Sequence, residues 1–188
     1  PPPPPASSLQ LPASIRLLPG VHGATIGFDD TLTLGPRLST ALVFHDGPRV
    51  DLGVGWEMGR VRAFGANANL RWSELFVAPA YSWRIAHSEI DLGLQVSAAT
   101  VSLLDYPVGP AQRRTRHTWS SQLALLARYH RVLSPAFRLF FAAEAGHTLR
   151  SIAIWSPTGS DQLGGFYGGL TLGAELTVLG RDRSASTR

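Results

Sequence analysis

Six histidines, two serine–histidine neighbourhoods and one run of arginines are the residues of this chain whose types could do chemistry. His22, His45, His87, His117, His130 and His147 show no His-x-His or HExxH spacing, so no zinc site and no other metal is expected. A serine nucleophile needs a base within hydrogen-bond reach. His87 beside Ser88, and His117 three residues before Ser120, are the candidate pairs, but no G-x-S-x-G elbow surrounds either. No catalytic residue is assigned, and the expectation is a protein that is not an enzyme. The stretch GPAQRRTRH (109–117) sets Arg113, Arg114 and Arg116 beside His117. Guanidinium groups clamp phosphates bidentately, so these three are candidate phosphate contacts.

The totals narrow the classes further. Net charge is +4 and every one of the 17 basic residues is arginine, but the arginines are scattered and no helix carries a basic stripe. Nucleic acid is therefore not an expected partner. There is no cysteine, hence no disulfide framework and no thiolate metal site, and no cofactor is expected. Only 16% of residues are charged, against about 25% in a usual soluble domain. No run of 18 apolar residues occurs, which excludes a transmembrane helix. The opening PPPPPASSLQLPA (1–13) reads as a stiff, proline-rich linker that continues from an upstream region.

The elements that must position the remaining charges are strands. In RVDLGVGWEMG (49–59), Val50, Leu52, Val54, Trp56 and Met58 alternate with Asp51, Gly53, Gly55 and Glu57. Strict alternation describes an extended strand whose two faces differ in chemistry. Seven further segments alternate with varying purity: 14–28, 38–46, 73–85, 89–100, 119–130, 136–146 and 165–179. The least regular is 14–28, where Pro19 suits an irregularity or a bulge. No helical period of comparable quality exists, so the chain is expected to be all-β.

Connections alternate as well. HDGPR, AHS and RVLSP are short turns, whereas FDDTLTLGPR, MGRVRAFGANANLRW, LLDYPVGPAQRRTRH and LRSIAIWSPTGSDQLGG read as long loops. An eight-stranded antiparallel up-and-down barrel over residues 14–180 follows, with short turns and both chain ends on one side and long loops on the other. Residues 181–188 form a polar tail.

Two closed barrels share this pattern and are inside-out versions of each other. A soluble lipocalin-like carrier turns its apolar face inward around a hydrophobic ligand. A transmembrane barrel turns that face to lipid. The polar face decides. It is mostly Gly, Ala, Ser and Thr, too small and too weakly charged for a wet surface but suited to a narrow lumen that side chains fill. The register sends Arg16, Asp51, Glu57, Glu74, Arg84, Glu89, Asp91, Arg128, Arg138, Glu144 and Glu175 into that lumen. Enclosed charges must pair, so an interior salt-bridge network is expected in place of catalysis. Trp56, Tyr81, Trp83, Trp119, Tyr129, Phe137 and Phe166 fall on the apolar face towards strand ends, as membrane-interface aromatics do.

On these strands, the short/long alternation and the last strand GFYGGLTLGAELTVL (165–179), the chain resembles the small eight-stranded outer-membrane barrels of the OmpA/OmpX type. Phe166, Leu170, Leu172 and Leu176 keep the alternate-residue pattern of such a strand. It ends near Leu179 and is followed by GRDRSASTR, where that family commonly ends on an aromatic residue. The resemblance implies a bacterial outer-membrane protein with periplasmic termini and extracellular loops. Outer-membrane lipid is then a partner, and Arg113, Arg114 and Arg116 become candidate contacts to lipopolysaccharide phosphates. The expected function is a structural membrane anchor for a periplasmic region, or a docking component of an envelope protein complex reached through the N-terminal linker. Some small barrels modify the acyl chains of lipid A, which keeps an outer-membrane enzyme as the alternative. A lumen filled by side chains argues against a pore.

Overall fold

The structure, a computed structural model, describes residues 12–27, 31–63, 66–109, 112–156 and 159–180. The described residues form ten strands: β1 (Ser14–Ile26), β2 (Leu32–Val43), β3 (Pro48–Ala63), β4 (Ala66–Ile85), β5 (Ser88–Gly109), β6 (Gln112–Ser134), β7 (Phe137–Thr148), β8 (Ile152–Ser156), β9 (Gly159–Leu163) and β10 (Phe166–Gly180). Eight of them close into one antiparallel barrel in the order β1-β10-β7-β6-β5-β4-β3-β2, and β8 pairs with β9 in a separate hairpin. From β1 to β7 each strand pairs with its chain neighbour, β7 pairs with β10 across the β8–β9 hairpin, and the seam closes where β1 meets β10 from Ser14↔Gly180 to Ile26↔Tyr167. Both ends of the barrel segment thus lie at the end that carries the three short turns. Pro19, which cannot donate to a ladder, is exposed, and the β1–β10 pairing is interrupted between Leu17 and Gly20.

The faces fall out as an inside-out barrel. Leu52, Leu92 and Leu172 are 50%, 49% and 63% exposed, while their neighbours Asp51 and Asp91, and Glu175, are fully buried. A lipocalin-like carrier is the inverse of this arrangement, and that reading is set aside.

Two expectations need correction. The strands run far beyond their alternating cores: β4, β5 and β6 have 20, 22 and 23 residues. Much of what read as long loops is therefore paired sheet. Residues 112–116 belong to β6 and stand opposite Gly109 to Leu103 of β5, so Arg113, Arg114 and Arg116 lie on a strand and not in a loop. Likewise β2 begins at Leu32, and Ile152–Ser156 pairs with Gly159–Leu163 as the β8–β9 hairpin.

The reason is a switch of faces. In the turn-side part of β4, Leu75 and Val77 point out and Glu74 points in; further along, Asn69 and Arg71 point out and Leu70 and Trp72 point in. Beyond the level of Ser73 the wall is built like a water-soluble sheet, with its apolar side inward. Val61, Leu70, Trp72, Val101, Leu103 and Tyr167 form a core there, together with Ile152 and Leu163 from the ends of the hairpin strands. A rule that always assigns the apolar face to lipid loses these strand ends.

Candidate functional site

The interior is the most elaborated part of the molecule. Alternation alone delivers its residues: every second side chain of eight strands converges on a narrow space that these side chains nearly fill. At the short-turn end, four arginines face four carboxylates. Arg49 reaches Asp51 at 2.7 Å, Asp91 at 3.1 Å and Glu175 at 3.0 Å. Arg128 holds Asp51 at 2.5 Å, and Arg16 sits 3.0 Å from both Glu89 and Glu175. Arg138 donates to Glu175 at 3.0 Å. His130 joins them, its Nε2 2.8 Å from Asp91.

Further in, a second group is poorer in cations. Arg37 bridges Glu74 at 2.9 Å and also pairs with Glu144. His22 Nδ1 lies 2.6 Å from Glu57, which also accepts from Thr33. Glu144 receives Gln95 at 2.9 Å and the Tyr167 hydroxyl at 3.0 Å. Phe76 and Phe140 lie inside as well: the Arg37 guanidinium stands 4.0 Å over Phe76, and Arg128 stands 5.6 Å from Phe140. Glycines on the opposing strands make room for both rings. A Cβ on Gly53 would meet Phe76 at 2.4 Å, and one on Gly173 would meet Phe140 at 2.7 Å. A cavity of about 20 Å³ remains between Leu18, Arg37, Phe76 and Phe140, room for about one water.

Of the lumen charges expected from sequence, Arg16, Asp51, Glu57, Glu74, Glu89, Asp91, Arg128, Arg138, Glu144 and Glu175 are buried inside the barrel. Arg84 is not: it lies at the turn-side rim with 42% of its side chain exposed, 3.9 Å from Glu89, because β4 is near its end there. Arg37 and Arg49 escaped the sequence reading. Arg37 follows Gly35-Pro36 and read as loop, although Gly35 is demanded by sheet contact: a Cβ there would come within 1.9 Å of the Trp56 carbonyl oxygen. Arg49 stands two residues before Asp51, on the same face, and alternation could have found it.

Ligand-type residues do meet, although no sequence spacing announced it. His22, Glu57 and Glu74 come within 4.8 Å of one another, as do Glu89, Asp91 and His130. In both, arginine already stands on carboxylate oxygens, through Arg37 on Glu74 and Arg49 on Asp91. These are ion-paired interiors and not prepared cation cages.

The outer wall carries the aromatics. Trp56, Tyr81, Trp83, Trp119, Tyr129 and Phe166 are exposed on it, and Phe137 is half-buried. On β6, Trp119 and Tyr129 are ten residues apart on one face. On β4, Trp83 is ten residues from Ser73, the partner of Trp56. Ten residues span about 34 Å along a strand, or about 25 Å across a barrel tilted by about 40°, the height of a bilayer-facing band.

The serine–histidine candidates resolve differently from their sequence order. Ser120 is buried in the lumen and donates to the Arg150 carbonyl at 2.8 Å, on the opposite face from His117. His117 Nδ1 instead lies 2.8 Å from the hydroxyl of Ser102, its cross-strand neighbour. Ser88 bonds Tyr129 at 2.8 Å and not His87. Arg116 donates to the Ala153 carbonyl at 2.6 Å and so ties the wall to the hairpin. The side chains of Arg113 and Arg114 lie outside the described residues.

A filled, ion-paired lumen within an apolar eight-stranded wall is the arrangement of the small outer-membrane barrel fold, and solved structures agree on that fold. The chain superposes on OprG, an outer membrane protein of Pseudomonas aeruginosa, with a TM-score of 0.63 at 12% identity, over 89% of this chain and 97% of that one. Neisserial surface protein A gives a TM-score of 0.62 at 12% identity, over 86% and 94%. A major outer membrane protein of Thermus thermophilus gives 0.53 at 14% identity, over 86% and 99%. No protein-family model matches the sequence, and no curated protein does. The chain therefore has the eight-stranded outer-membrane barrel fold that its sequence resembles.

Proposed function

We propose that this chain is an outer-membrane protein whose barrel is a structural anchor, with the short turns and termini periplasmic and the long strands extracellular. The observation that carries this reading is the sealed lumen. Four arginines and four carboxylates cross-link six strands at one end, phenylalanines block the middle, and an apolar core closes the other end. Such an interior favours rigidity over conduction. What the anchor holds is a periplasmic region, or an envelope assembly, joined through the proline-rich segment; residues 1–11 lie outside the described residues.

The test is a soluble periplasmic reporter fused ahead of Pro1. The reporter is expected to sediment with outer membranes, to resist salt and to be released by detergent. It should also be protected from protease added to intact cells. Digestion of the reporter from outside would overturn the orientation, and its release by salt would overturn the anchor.

A lipid-modifying enzyme is the second reading, favoured by the Ser102–His117 contact on the outer wall. Among the described residues no carboxylate contacts His117 to orient the imidazole, so the anchor is preferred. Unchanged lipid A masses on expression would count against the enzyme.

A further inference from the structure

The level at which the wall switches faces carries an asymmetry. Three rows of outward residues cross β3 to β6 there: Val54, Leu75, Ala98, Ser121; then Trp56, Ser73, Thr100, Trp119; then Met58, Arg71, Ser102, His117. The lower two contain a groove of about 430 Å³, floored by Ser73, Ala98 and Thr100 and walled by Val54, Leu75 and Trp119. Small side chains next to large ones leave this slot open; a second outer-wall groove, of about 760 Å³, lies over Gly93, Ala127 and Ala145 beside Leu92, Leu94 and Leu125.

Arginines stand in the outward row beyond the slot and against its Trp119 wall. Arg71 is exposed in the row above Ser73. Arg60 pairs with Asn69 and so stands diagonally beside Arg71 at about 7–8 Å between backbones. The Arg150 guanidinium lies 3.6 Å over the ring of Trp119, the residue that walls the slot on its β6 side. His117 completes the rim through Ser102. The neighbouring outward positions on the β2 side, Leu32 and Leu34, which pair with Arg60 and Met58, bear no charge, nor do Thr25 and Phe166. Among the described side chains, every carboxylate of the barrel strands faces inward, and none of these stands on the wall beside the arginines.

We propose that this sector binds one phosphorylated, multiply acylated glycolipid of the lipid A class, with an acyl chain in the slot and phosphate on Arg71 and Arg150. The site rests on the outer-membrane reading above, and it differs from the Arg113–Arg116 segment, whose Arg116 is engaged with the hairpin. Charge complementarity selects a phosphate. The position at the long-strand end, the outer leaflet in the proposed orientation, selects a glycolipid over a phospholipid.

The test uses the full chain purified in detergent and titrated with bisphosphorylated lipid A, dephosphorylated lipid A and phosphatidylglycerol, with bound lipid counted by native mass spectrometry. Bisphosphorylated lipid A is expected to bind one per chain. Arg71→Ala and Arg150→Ala are each expected to weaken it by about tenfold, the loss of one charge-assisted contact. Dephosphorylated lipid A and phosphatidylglycerol should bind at least as weakly as the variants bind lipid A. Arg84→Ala, at the opposite rim, should change nothing. Equal binding by the Arg71 and Arg150 variants, by dephosphorylated lipid A or by phosphatidylglycerol would overturn the site. Heat-dependent gel migration of each variant reports the folded barrel. A barrel that inserts into outer membranes yet ignores lipid A would sink this site alone, whereas failure to insert would sink the reading beneath it.

Discussion

Arg49 and Glu175 stand 3.0 Å apart inside the barrel, one at the start of β3 and the other in the strand that closes the sheet. The same guanidinium also reaches Asp51 and Asp91, so one side chain ties β3, β5 and β10 together. Removing one partner from such a buried pair leaves an uncompensated charge. Arg49→Met and Glu175→Leu are each expected to destabilise the folded barrel by about 3–5 kcal/mol. Arg84→Ala, at the rim, should cost under about 1 kcal/mol. Urea midpoints of the barrel refolded in lipid vesicles check the contrast; equal midpoints for Arg49→Met and Arg84→Ala would deny the network its role.

Gly53 and Phe76 provide a second check on the interior. A Cβ at Gly53 would meet the ring at 2.4 Å. Gly53→Val is expected to cost about 1–3 kcal/mol through overpacking. Combining it with Phe76→Ala should recover part of the loss, a coupling that double-mutant analysis of the same urea curves reads directly. Additive effects would mean the two side chains do not share the lumen.

The outer wall predicts a dependence on depth. Leu125 lies between the aromatic levels of Trp119 and Tyr129 and is 67% exposed. Leu125→Arg should destabilise the inserted barrel by about 2–4 kcal/mol, and Ser73→Arg, at the level where the faces switch, by about 0–1 kcal/mol. Equal costs at both positions would place the hydrocarbon boundary elsewhere.

Arg116 and Ala153 connect the wall to the β8–β9 hairpin. Arg116→Ala is expected to raise the rate of protease cleavage within 149–165 of the folded barrel in detergent, without changing its heat-dependent gel migration. Unaltered cleavage would show that Ile152 and Leu163 hold the hairpin by packing alone.

How much of this was legible in the sequence varies along each strand. Between the aromatic levels the alternation of Val50, Leu52 and Val54 with Asp51, Gly53 and Gly55 is clean, because lipid on one side and a crowded lumen on the other impose opposite chemistries. The closed eight-stranded barrel followed from that pattern. Past Trp56 and Trp119 the environment outside changes from apolar to polar, and the pattern inverts: Arg60, Asn69 and Arg71 face out while Val61, Leu70 and Trp72 face in. A fixed rule for the faces sees disorder at such a point, which is why strand ends read as loops. Arg37 was hidden for a local reason, since Gly35-Pro36 usually breaks a strand. Here Gly35 admits the backbone of Trp56, and the exposed Pro36 still pairs with Val21. The partners inside the lumen were beyond any spacing rule: Arg49 and Glu175 are brought together only by closure of the barrel.

Because the chain contains no cysteine, single cysteines introduced along β5 can carry spin labels with no background. With the barrel in lipid bilayers, labels at Leu92, Leu94 and Val96 should collide with lipid-dissolved oxygen, and labels at Gln95 and Ser97 should not, a period of two along the strand. If Gln95 and Ser97 were the oxygen-accessible positions, or if a water-soluble relaxant reached Leu92, Leu94 and Val96, oily side chains would not be facing hydrocarbon, and an anchor in the membrane would be ruled out.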